Sequence, residues 1–244
     1  MISPLAALRA AAHLWLRVVC SAGLTVLLAA CNQATLQQAS FAPPLQPQYA
    51  ALSDGAVQVP PVEAETIDPK YVRQRVRYAT SQRPGTIVVD PYAKFLYLAQ
   101  EGGFAMRYGV GVGRDGFRWS GTADIRRKAQ WPTWTPPSAM VARQPELKQY
   151  SQGMPGGIGN PLGARALYLF RNGQDTLYRI HGTNEPDSIG KNVSSGCIRL
   201  LNQDVIDLFN RVPVGSKVVV LSEREASAGP SIEPNARPQA EEQR

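Results

Sequence analysis

Cys197 and His181 are the two residues whose types can do covalent chemistry together. The chain holds three cysteines and two histidines, and His13, Cys20 and Cys31 all lie near its start. A thiol becomes a strong nucleophile when a nearby base or cation stabilises its thiolate. His181 is the imidazole available for that task, and Cys197 follows sixteen positions later in Ser194-Ser195-Gly196-Cys197-Ile198-Arg199. A loop of that length can return and set the two side by side. Gly196 removes a side chain from the turn before Cys197, so the amides of Ser195, Gly196 and Cys197 can converge on one oxyanion. Arg199 shares a face with Cys197 in an extended chain and suits a carboxylate or an anionic intermediate. On spacing alone a buried apolar cysteine and a hydrogen-bonding strand-end histidine remain open readings.

The elements that must carry this group read as β-rich. Pro84-Gly85 marks a turn before the β-branched run 86–90, and further strands are expected at 94–99 and 104–112, as an antiparallel meander. Four more are expected at 123–129, 166–170, 176–181 and 217–221. Segment 130–165, rich in Trp, Pro and Gly, reads as long ordered loops. Asp68-Pro69 reads as a cap and first turn of a short helix to about residue 75. A second helix is expected over 203–211, with Asn202 as its N-cap and Val205, Ile206, Leu208 and Phe209 on its apolar face. The expected fold is mainly β, a β-rich α+β sandwich with one or two short helices.

Several motifs of this core resemble one known family. Ile180-His181-Gly182-Thr183-Asn184-Glu185-Pro186 through Ser194-Ser195-Gly196-Cys197-Ile198-Arg199-Leu200 is similar to the signature of the L,D-transpeptidase catalytic domain (YkuD-type). Gly85-Thr86-Ile87-Val88-Val89-Asp90, Trp131-Pro132-Thr133-Trp134-Thr135-Pro136-Pro137 and Pro155-Gly156-Gly157-Ile158-Gly159-Asn160-Pro161-Leu162-Gly163 resemble other parts of it, over about 85–222. The resemblance implies Cys197 as nucleophile and His181 as general base, oriented by the Gly182 carbonyl. It implies Ser195, Gly196 and Cys197 as the oxyanion-hole backbone and Arg199 as a substrate-side arginine. Many members carry His where this chain has Ser195, which leaves the base role to His181 alone.

The reaction implied is attack on a peptidoglycan tetrapeptide stem, release of D-Ala, and transfer of the acyl group from the thioester to an amine. The acceptor would be a second stem's diamino acid or a lysine of an envelope lipoprotein; water would give a carboxypeptidase instead. No cofactor is implied. A non-catalytic wall-binding lipoprotein on the same fold is the rival from another class. A papain-like peptidase would need its Cys before its His.

Composition narrows the field further. Two histidines and scattered cysteines do not make the usual zinc sites, and no GxxxxGK[ST] loop occurs. The chain is +7, and 80–222 alone, with 17 basic and 10 acidic residues, accounts for that excess. No nucleic-acid signature accompanies the charge, so an anionic polymer suits it better than nucleic acid; a plain solvated surface remains the alternative.

The chain opens with Arg9, Arg17 and no acid, then a short apolar run to Ala30, the pattern of an export signal over 1–30. Leu28-Ala29-Ala30-Cys31 resembles the bacterial lipobox, which implies a lipid on Cys31 and a periplasmic, membrane-anchored protein. Asn32, in place of the Asp that commonly retains lipoproteins at the inner membrane, points to the outer one. Residues 31–79 read as a flexible tether, 80–222 as the catalytic domain and 223–244 as a disordered tail.

Overall fold

The computed structural model describes residues 46–113, 119–194 and 196–229. The expected signal, Cys31, Ser195 and the tail beyond 229 lie outside the described residues. In chain order the strands are β1 (Leu52–Asp54), β2 (Val57–Val59), β3 (Gln74–Arg77), β4 (Ile87–Asp90), β5 (Phe95–Gln100), β6 (Phe104–Gly109), β7 (Val112–Gly113) and β8 (Gly121–Gln130). They continue with β9 (Arg165–Arg171), β10 (Gln174–His181), β11 (Asn192–Ser194), β12 (Ile198–Arg199) and β13 (Lys217–Val220). Three helices are present among the described residues: α1 (Ser138–Arg143), α2 (Asn202–Arg211) and α3 (Glu223–Ser227).

Nine strands make one sheet in the order β12-β10-β9-β8-β13-β4-β5-β6-β3. The meander β4-β5-β6 is antiparallel, as the closely spaced turns require. Alternation decides which side chains go in: Ile87 and Val89 of β4 join the main core, while Val88 between them joins a separate cluster with Tyr78 and Ala105. Leu96, Leu98 and Tyr108 from one half of the sheet and Ile125, Leu167, Leu169 and Ile180 from the other pack in that same core, with Val205 and Leu208 of α2. Both halves therefore wrap one apolar interior, and the β-rich α+β expectation holds. At roughly 25 cal/mol per Å² of apolar area, this burial is the main stabilising term.

Four local expectations need correction. The first is the tether, which does not extend to 79. Residues 46–79 contain β1, β2 and β3, and β3 pairs with β6 at the sheet edge. Tyr49, Val62 and Ile67 of this strap are buried against Ile189 and Leu201. Its few apolar residues are spaced irregularly, and they earn their burial against the domain rather than each other. The expected helix after Asp68 is a single 3-10 turn, Pro69–Tyr71, capped by the Asp68 carboxylate, before the chain extends again at Val72.

Third, Leu201, not Asn202, is the N-cap of α2. The Asn202 side chain is drawn instead to two backbone groups of the site loops, described below. Finally, the segment from 223 begins with a capped turn. The Ser222 hydroxyl accepts from the Glu225 amide, and the Glu225 carboxylate accepts from the Ser222 amide.

Candidate functional site

β10 and β12 run parallel, with Ile180 opposite Ile198 and His181 opposite Arg199. Cys197 immediately precedes β12, so the return of the 182–196 loop brings the thiol beside the strand that ends in the imidazole. His181, Gly196, Cys197 and Arg199 line one cleft of about 1420 Å³, together with Tyr178 and Glu185. The cleft is also lined by Trp134, by Met140 and Arg143 of α1, and by Leu147 and Tyr150 of the 3-10 segment Pro145–Tyr150.

His181 is buried, and its Nδ1 lies 2.6 Å from the Gly182 carbonyl oxygen. A carbonyl can only accept, so Nδ1 carries the hydrogen and Nε2 is left as the basic nitrogen. Burial pushes the imidazole pKa down to about 4, opposed by the bond to Gly182 and reinforced by the charges of Arg199 and Arg179. Burial likewise pushes the Cys197 thiol up; the backbone amide of Arg179 bonded to it and the charges of Arg179 and Arg199 pull the other way. Burial thus disfavours the charged form of both groups.

Gly196 has φ +125, a conformation that side chains rarely adopt, and a Cβ there would stand 3.1 Å from the Tyr178 ring. Tyr178 is set by a bulge in β10: the register with β9 shifts between Asp175 and Arg179, and Leu177 has φ +64. The Asp175 carboxylate stabilises that bulge by accepting from the Leu177 amide at 2.8 Å and gripping the Arg179 guanidinium at 2.7 and 2.8 Å. Tyr178 also stacks on Trp119. Arg199, expected to face a substrate, donates to Glu185 at 2.7 Å.

Buried amides hold the loops behind this cleft. The Asn160 side chain donates to the carbonyls of Pro132, Met154 and Pro155 and accepts from the Leu162 amide. That one carboxamide closes the 130–165 segment into a fixed wall. Asn202 does the same nearer the imidazole, accepting from the Ala164 amide and donating to the Thr183 carbonyl, each at 2.9 Å. Arg165 is buried, and both its terminal nitrogens bond to Asp54 of the strap. Arg179, Tyr178, Asn160 and Asp54 carry no local sequence signal for these tasks. The bulge residue Leu177, apolar yet exposed in a strand, is the nearest to one.

Comparison with known proteins finds one matching family and several relatives. The YkuD family, L,D-transpeptidase catalytic domain, matches residues 84–220. The probable L,D-transpeptidase YbiS of Escherichia coli K12 is 40% identical over 119 residues, covering 47% of this chain and 37% of its own. The probable L,D-transpeptidase ErfK/SrfK of the same organism is 32% identical over 157 residues, covering 62% and 48%. This chain thus spans less than half the length of either relative. A solved structure from Brucella melitensis, described as a probable carnitine operon oxidoreductase caia, is 48% identical with a TM-score of 0.45, covering 64% of this chain and 97% of that one. At that score the structural likeness carries no inference about activity.

Proposed function

Since the chain belongs to the YkuD family of L,D-transpeptidase catalytic domains, we propose that it is a cysteine acyltransferase acting on peptidoglycan stem peptides. The observation that carries this reading is the shared cleft of Cys197 and His181, with Nδ1 of the imidazole committed to the Gly182 carbonyl.

In this reading the Cys197 Sγ attacks the carbonyl carbon between the third stem residue and the terminal D-Ala as Nε2 of His181 takes the thiol proton. The oxygen gains the negative charge and is met by the amides around Gly196 and Cys197, with Ser195 as the further donor. Collapse breaks the C–N bond, and the His181 proton goes to the departing D-Ala nitrogen. His181 then takes a proton from the acceptor amine, which attacks the thioester and regenerates the thiol. Arg179 and Arg199 place positive charge beside the oxyanion and the stem carboxylates. The energy of the broken peptide bond is kept in the thioester, so the transfer runs without a nucleotide.

The acceptor is the diamino acid of a second stem or a lysine of an envelope lipoprotein. The protein is exported and held at the membrane, the outer one by Asn32, through a lipid on Cys31. Fatty-acid labelling of wild type and Cys31→Ser tests the anchor, and an unlabelled wild-type chain removes it from the proposal.

The decisive experiment is incubation with tetrapeptide-stem muropeptides and mass identification of products, with Cys197→Ala as control. Released D-Ala with cross-linked dimers supports transfer. Tripeptide stems alone would make the enzyme a hydrolase, and no reaction, or reaction by the Cys197→Ala variant, would sink the reading.

A further inference from the structure

Asn202 is buried on the first turn of α2, yet it neither caps that helix nor lines the cleft. Its carboxamide is spent on backbone. Oδ1 accepts from the Ala164 amide and Nδ2 donates to the Thr183 carbonyl. It fits only because two glycines surround it: a Cβ at either Gly163 or Gly182 would come within 2.3 Å of Oδ1. Gly182 is the residue whose carbonyl takes the His181 Nδ1 hydrogen.

The Gly182–Thr183 peptide is thus pinned from both sides. Its N-terminal neighbour is fixed because the Gly182 amide donates to the Arg165 carbonyl at 3.0 Å, and its C-terminal neighbour is fixed by Asn202. Glycine gives the intervening carbonyl the freedom to rotate. A rotated peptide would turn an N–H toward Nδ1, and the imidazole would respond by moving its hydrogen to Nε2. The basic nitrogen would then face the backbone instead of the thiol.

We propose that Asn202 is a positioning residue that fixes the tautomer of His181 by holding the Gly182–Thr183 peptide in one orientation. This rests on His181 acting as the base for Cys197. The test therefore avoids the stem substrate, so that its failure and the failure of the proposed reaction can be told apart.

The full-length protein, labelled with ¹⁵N-histidine, reports the tautomer directly from its ring nitrogens, with the His181 signals assigned by their loss in His181→Gln. In parallel, iodoacetamide alkylation of Cys197 is followed by mass of its peptide. Wild type is expected to show hydrogen on Nδ1. Asn202→Ala is expected to show hydrogen on Nε2 in a large share of molecules, with alkylation near neutral pH slowed on the order of 10- to 100-fold, the scale of a misplaced catalytic group. Asn202→Asp is the second variant, for use if the alanine variant does not fold. Its carboxyl keeps the acceptor for Ala164 and, once ionised, loses the donor to Thr183, so its defect should deepen as pH rises. A folded variant with the wild-type tautomer, or one with a changed tautomer and wild-type alkylation, overturns the proposal. If wild type alkylates with the expected tautomer but releases no D-Ala from stems, the proposed reaction fails and this inference stands.

Discussion

Glu185 holds the guanidinium of Arg199 at 2.7 Å, although the carboxylate is 59% exposed and the arginine only 17%. The anchored partner is the arginine, and the displaceable one is the glutamate. A stem carboxylate arriving in the cleft would compete with Glu185 for the same fork. Glu185→Gln should therefore lower KM for the stem about fivefold, the worth of about 1 kcal/mol from an exposed pair, with kcat little changed. Arg199→Lys keeps charge and loses the fork, so acylation should slow by roughly tenfold with little change in melting temperature. Unfolding of Arg199→Ala, or its reaction at the wild-type rate, would reduce this arginine to a brace.

The acylation rate should hold from about pH 7 down to about 5, past the ordinary imidazole value of 6.5, and fall as pH drops through about 4, where His181 takes a proton. Stability should follow the same group. Between the ordinary value of 6.5 and about 4 the unfolded chain binds a proton that the folded one refuses. The His181 contribution is complete above 6.5 and is lost as pH falls through 4. A stopped-flow pH series against an acylating β-lactam would instead break near 6.5 if the imidazole were solvated.

Gly196→Ala should cost acylation at least tenfold, because the new methyl meets the Tyr178 ring while φ stays at +125. The measurement is the rate against the same β-lactam, beside a melting curve. Normal acylation by this variant would mean that the turn before Cys197 tolerates another path.

Much of this domain is legible in the sequence for physical reasons. The meander 86–109 announces itself because its β-branched runs are short and bounded by Gly and Pro turns. His181 and Cys197 stand out because so few other residues of their types occur. Leu201 and Asn202 read wrongly because Asn is a good cap by local chemistry, and the pull of the Ala164 and Thr183 backbones is not local. The strap reads as linker for the same reason: Tyr49 finds Asp204, and Asp54 finds Arg165, far along the chain.

Asp54→Ala should be strongly destabilising, by about 3–5 kcal/mol, since it leaves the buried Arg165 guanidinium without its carboxylate. Urea unfolding of the variant against wild type measures this directly. A shift below about 0.5 kcal/mol, the range of ordinary surface changes, would return the strap to the status of a loose leader.

Asp204 makes the opposite pH signature to His181. Burial raises its carboxyl to about 7 against the nearby Arg73 charge and the Tyr49 hydroxyl bond. The folded chain then holds a proton that the unfolded one has lost above 3.8, so this contribution is full below 3.8 and disappears as pH rises through about 7. Asp204→Asn can still accept from Tyr49 and cannot ionise. Its melting temperature should depend less on pH than wild type between about pH 4 and 7, and parallel curves would refute the assignment.

β13 lies between β8 and β4, pairing Val218 with Ala123 on one side and with Ile87 on the other. It is the last strand of the sheet to be synthesised, and it alone joins the half that carries His181 to the half that carries the meander. Long-range pairings of this kind form late, after much chain must be brought together. A nascent or truncated chain ending before Lys217 therefore lacks the strand that joins the two half-sheets, and with it the Val218 and Val220 side chains of the core. The strands that carry His181 and Cys197 pair directly with each other on one side of that seam, so what such a chain loses is the backing of its reactive half by the other, not the pairing of those two strands.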